Sequence, residues 1–158
     1  MKTIDLFGAA VSVLICLGAG AIGSFYTAPA IPLWYAGLAK PFFSPPNWIF
    51  APVWTALYIM MGISAYIVWT KRKAGREAVK GLAVFAAQLG LNTLWSVVFF
   101  GFRDPFLALL TIVVLWAFIL LSIIQFSKVS RSAALLLVPY IVWVSFASLL
   151  NAAVWLMN

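Results

Sequence analysis

The chemistry open to this chain rests on three helical stripes of aromatic and amide side chains. Gln88, Asn92, Trp95 and Phe99 stand at offsets of four, seven and eleven, so one helical face carries them all. Trp143, Ala147, Leu150 and Asn151 make a second such face, and Phe50, Trp54, Tyr58 and Met61 a third. Rings with one or two amides among them suit the walls of an apolar pocket, where a few hydrogen bonds orient a ligand. The same residues suit plain cohesion between helices, since a buried Asn or Gln bonding across helices contributes about 1 kcal/mol. Spacing alone leaves both readings open.

Other chemistry is poorly supplied. The chain has no histidine, and its three carboxylates, Asp5, Glu77 and Asp104, fall in loops or at the edges of apolar runs. No carboxylate pair, nucleophile–base arrangement or metal-ligand cluster can be assembled from these residues. Neither a metal nor a cofactor is expected; Cys16 and four methionines are weak substitutes for an axial haem histidine. An exporter of lipophilic compounds is a further reading, but no span carries the ionisable group that proton coupling normally uses.

The elements that must position the stripes follow from composition. The 158 residues are 66% hydrophobic and 8% charged, against roughly 25% charged in a soluble domain. Five uncharged runs, about 6–25, 49–70, 81–102, 106–126 and 133–157, each supply the ~20 apolar residues that cross a bilayer. Backbone amides in lipid must be satisfied within the segment, so the runs are predicted as helices. The expected fold is all-α, an integral membrane bundle of five transmembrane helices forming one domain over 1–158. The first run exceeds the 7–15 residues of a signal-peptide core, so it is read as a retained span.

A net charge of +7 is distributed by topology and does not mark a nucleic-acid binder. Lys2, Lys71, Arg72, Lys73, Arg76, Lys80, Lys128 and Arg131 fall on one side; Lys40 and Arg103 fall on the other. That bias predicts a cytoplasmic N-terminus in a bacterial cell membrane. The 26–47 connection is expected to be a long ordered loop on the opposite face, with a short interfacial helix near 33–39. Its prolines and aromatic rings make it a lid leading into the second span. The small pairs Ala19/Gly23 and Ala83/Ala87 each allow close helix approach, either inside the monomer, the favoured reading for Ala19/Gly23, or at a dimer face; a homodimer is expected. Pro52 and Pro139 each remove one helix amide and predict bends.

Three segments carry a resemblance. WYAGLAKPFFSPPNWIFAPVW, QLGLNTLWSVVFFG and PYIVWVSFASLLNAAVW resemble, in order and over almost the whole chain, the translocator protein family, also called the tryptophan-rich sensory protein or peripheral benzodiazepine receptor family. The resemblance implies a five-helix bundle that binds porphyrins, notably protoporphyrin IX, and in animal members cholesterol and isoquinoline-carboxamide drugs. It implies a pocket beneath the first loop, lined by helices one, two, three and five. Position by position, its ligand contacts fall on Trp34, Phe50, Trp54, Tyr58, Asn92, Trp95, Trp143, Ala147 and Leu150. The animal cholesterol motif is incomplete: Val138 and Tyr140 match its start, but no basic residue follows. Sterol recognition is thus disfavoured, as in a bacterial-like member.

Two functional expectations result. In the first, a receptor or carrier stacks the macrocycle on Trp54, Trp95 and Trp143, Asn92 orients it, and Lys40 and Arg103 meet its carboxylates at the rim. In the second, implied by the resemblance, porphyrin is degraded with light and oxygen, and Trp54 and Trp143 are the catalytic residues.

Overall fold

Apolar sequence with few charges closes its backbone hydrogen bonds locally, and here it does so in helices throughout. The structure, a computed structural model, describes residues 5–158 apart from the side chain of Ala74; Lys2 lies outside the described residues. The helices are α1 (Leu6–Ala30), α2 (Phe50–Thr70), α3 (Arg76–Ser96), α4 (Pro105–Ser127), α5 (Arg131–Leu136) and α6 (Val138–Met157). Five helical segments are long and apolar enough to cross a membrane, α5 and α6 together forming the fifth. No strand occurs among the described residues. The neighbours run in a ring, α1 beside α2 and α3, α3 beside α4, α4 beside α6, and α5 closing on α2.

Three expected boundaries are corrected. α1 continues five residues past Phe25 to Ala30, carrying Pro29 in its last turn, where the missing amide leaves only the Phe25 carbonyl without its helical donor. The lid is correspondingly shorter, and its expected short helix is a single 3-10 turn, Tyr35–Gly37. α3 begins at Arg76, before the predicted 81, because charged Arg76 and Glu77 sit at its start outside the apolar run. The fifth span breaks at Leu137, two residues before Pro139, whose ring lacks the amide that Leu135 would need.

α1 and α2 touch backbone to backbone. A Cβ on Gly62 would stand 2.4 Å from Val13 Cα, and Ser12 Oγ donates to Gly62 O at 2.7 Å. Across α1 and α3, Thr93 Oγ1 donates to Ala19 O at 3.1 Å, and Gly23 faces Ser96. The Ala19/Gly23 pair thus serves packing inside the chain, whereas Ala83 and Ala87 are exposed. At the end away from the lid, Glu77 pairs with Lys80 and with Lys128, both at 3.6 Å. Lys71 Nζ donates to Val129 O at 3.2 Å, so the two basic loops share one face.

Beyond α3 the chain widens into an underwound π turn, Val97–Gly101, closed by Phe102 N donating to Val97 O at 2.9 Å. Single π turns inside α-helices often mark functional sites. α4 then starts with Pro105 in its first turn and Asp104 as N-cap, whose Oδ1 accepts from Leu107 N at 2.9 Å.

Candidate ligand cavity

Under the lid lies a cavity of about 290 Å³ between α1, α2, α3 and α6. α2 contributes Phe50, Trp54 and Tyr58; α3 contributes Asn92 and Trp95; α6 contributes Trp143, Ala147 and Leu150. The three stripes therefore converge on one space. Among the described residues, no charged side chain lines it.

Its walls are aromatic rings in mutual contact. Phe50 meets Trp143 edge-on at 6.1 Å, Trp54 lies 5.7 Å from Tyr58 and 6.2 Å from Tyr140, and Trp95 stacks on Phe99 at 5.3 Å. Phe99 and Phe100 are consecutive, yet both line the cavity. The π turn reconciles them by adding one residue to a turn that would otherwise separate neighbours by about 100°.

The floor is a buried chain of hydrogen bonds. Tyr58 donates its hydroxyl to Asn92 Oδ1, Asn92 Nδ2 donates to Tyr140 Oη at 2.8 Å, and Tyr140 donates to Gln88 Oε1 at 2.8 Å. Trp95 Nε1 donates to Asn151 Oδ1 at 3.0 Å, and Asn151 Nδ2 reaches Pro105 O at 2.7 Å, tying α3, α6 and α4 together. Cohesion and cavity are thus both present, divided among different atoms of the same stripes. Gln88 Nε2 and Trp143 Nε1 are the exceptions: both are buried without a partner, and of the two residues Trp143 lines the cavity.

Four expected site residues stand elsewhere. Gln88 is fully buried beneath the floor beside Tyr140, a turn too deep to line the cavity. Trp34 packs edge-on against Phe99 at 5.6 Å and lines a separate, shallower pocket. Lys40 does not line the cavity either. Its Nζ donates to the carbonyls of Tyr35 (2.8 Å), Leu38 (3.1 Å) and Ala36 (3.4 Å), capping the 3-10 turn. Arg103 lines the shallower pocket with Trp34. Asn92 does line the cavity, but its amide oxygen and nitrogen each already serve a tyrosine.

Sequence reasoning named the lid and helix one as parts of the site but missed the residues of each that form it. Tyr35 is buried over Phe99 and Phe100, with ring centroids at 6.3 and 5.8 Å. Burial pushes its phenol above the ordinary value, and the Ser44 hydroxyl pulls it partway back. The roof is fastened to the end of α6: Ala39 N donates to Asn158 Oδ1 and Asn158 Nδ2 donates to Ala39 O, both at 3.0 Å. On α1, Gly20 leaves room for the Tyr58 ring, which a Cβ would meet at 2.4 Å. Ser24 and Ala28 of α1, and Asn47 and Ala51 beside them, line the cavity while themselves exposed. A side slot therefore opens between α1 and α2 toward the surrounding lipid.

The sequence profile of the TspO/MBR family matches residues 12–156. The tryptophan-rich protein TspO of Archaeoglobus fulgidus is 47% identical over 147 residues, 93% of this chain and 94% of that protein. The translocator protein of Bos taurus is 40% identical over 138 residues, 86% of this chain and 81% of its own length. The tryptophan-rich sensory protein of Cereibacter sphaeroides is 39% identical over 118 residues, 75% of this chain and 72% of that protein.

Proposed function

The chain belongs to the TspO/MBR family and is a multi-pass integral membrane protein; on that premise we propose a receptor whose cavity binds a flat, apolar tetrapyrrole such as protoporphyrin IX. The observation that supports this most is an uncharged cavity walled by Trp54, Trp95 and Trp143. Each ring contact contributes about 0.5–1.5 kcal/mol beyond the area it buries. Trp143 Nε1, buried and unpaired at rest, would donate the hydrogen bond that orients the guest once the indole turns toward the cavity, a role the paired amide of Asn92 leaves open. A carbonyl-bearing isoquinoline carboxamide would use the same donor.

At about 290 Å³ the cavity sits at the small end of ligand pockets. A porphyrin therefore inserts one edge and leaves its carboxylates outside, since an unpaired charge in an uncharged cavity is costly. Titration of intrinsic tryptophan fluorescence in detergent tests the reading. Protoporphyrin IX and its dimethyl ester are expected to bind within about fivefold of each other, because an exposed ion pair contributes at most about 1 kcal/mol. Ala147→Phe, which fills the cavity, is expected to abolish saturable quenching; unchanged quenching would place the ligand elsewhere.

A second reading, degradation of porphyrin by light and oxygen, is favoured by the contacts from Trp54 to Tyr58 and Tyr140. The excited pigment gives one electron to dioxygen, and the superoxide so formed adds to the pigment radical cation and opens the ring, while the neighbouring oxidisable side chains share the radical. If illuminated pigment disappears at the same rate with and without protein, this reading fails and binding stands alone.

A further inference from the structure

The shallower pocket, about 450 Å³, lies on the lid face between Trp34 and Leu38 of the loop and the start of α4. Arg103 and Asp104 both line it, and the rings of Trp34, Phe106 and Trp155 flank them. Two opposite charges that line one pocket are within reach of each other. Here no ion pair joins them among the described residues. Arg103 has φ 58°, the one positive φ at a non-glycine residue among those described, which sets it apart from the extended Asp104. One Asp104 oxygen caps α4 through Leu107 N and the other is left for a guest. The third polar residue, Asn158, is already taken up by Ala39 and Val154.

We propose that this pocket holds the headgroup of a zwitterionic phospholipid carrying a primary ammonium, phosphatidylethanolamine chemistry. The phosphate meets the Arg103 guanidinium, whose donor fork suits phosphate oxygens. The ammonium donates to the open Asp104 oxygen, a hydrogen bond that a quaternary choline cannot make. A purely anionic head satisfies Arg103 but is repelled by Asp104. The rings of Phe106 and Trp155, centroids 5.1 Å apart, supply a surface beside the two charges against which the glycerol and first acyl carbons lie.

Native mass spectrometry of the detergent-solubilised full chain, offered equal amounts of phosphatidylethanolamine, phosphatidylcholine and phosphatidylglycerol, tests this. Phosphatidylethanolamine is expected to be retained about fivefold over either rival, the scale of one exposed charge pair. Arg103→Asn removes the charge with a residue that tolerates positive φ, and Asp104→Asn removes it while keeping the cap acceptor. Each is expected to erase the preference while porphyrin quenching, which reads the other cavity and the fold, stays as in the parent. Soluble glycerophosphoethanolamine at the same concentration is expected not to displace the lipid; displacement would mean a free-metabolite site and overturn the proposal. Equal retention of all three lipids, a preference for phosphatidylglycerol, or a preference that survives both substitutions would also overturn it.

Discussion

Two tryptophans one helix apart carry the same indole and do different work. Trp95 Nε1 is paired with Asn151, which in turn reaches Pro105 O, so Trp95→Phe leaves a buried amide oxygen without its donor. We expect that substitution to cost about 1–3 kcal/mol, read as a lower thermal midpoint in detergent. Trp143 Nε1 has no partner to lose. Trp143→Phe is therefore expected to leave the midpoint unchanged or raise it, yet to weaken an acceptor-bearing ligand by about tenfold, roughly the worth of one hydrogen bond. If the two substitutions destabilise equally, Trp143 is a packing residue and its unpaired N–H has no role. Both tryptophans were legible from helical spacing. Which N–H was free was not, because the partner, Asn151, sits 56 positions away and only tertiary packing selects it.

At the level of helices, glycine and the π turn decide the cavity's shape. Gly62 lets α2 lie on the Val13 backbone, and no flexible side chain there can yield to a methyl group. Gly62→Ala is expected to force α1 from α2 at an overpacking cost of about 1–3 kcal/mol, measured by thermal or urea unfolding in detergent. A variant as stable as the parent would show that α1 rides loosely. Deleting Phe100 should restore α geometry to the π turn, leaving Phe99 on its stripe and taking the second ring from the wall; helical content by circular dichroism is expected to hold while porphyrin quenching falls. The number and order of spans were legible because hydropathy and length suffice for them. Gln88 and Trp34 were misplaced for a physical reason. A stripe fixes direction around a helix but not depth along it, and Gln88 lies one turn below Asn92, under the tyrosines. A proline-rich loop has no period from which to read which of Trp34 and Tyr35 faces inward. The π turn left no sequence signal, being imposed where α3 must meet Tyr26 and the lid.

Taken whole, the protein closes its cavity from above and leaves it open at the side. The roof is held by Lys40 on three carbonyls and by the two hydrogen bonds between Ala39 and Asn158. Asn158→Ala is expected to speed amide hydrogen exchange across 31–46 and to raise ligand association and dissociation rates together, with little change in affinity. Unaltered exchange would mean that the roof is fixed by Tyr35 and Phe99 alone. The side slot past Ser24, Ala28 and Ala51 has a different consequence, which concerns concentration. A guest that arrives through it is drawn from what is dissolved among the acyl chains, so occupancy tracks moles of ligand per mole of lipid. Adding lipid to the protein's membrane at constant total ligand should then empty the cavity, because the ligand spreads through the added acyl chains.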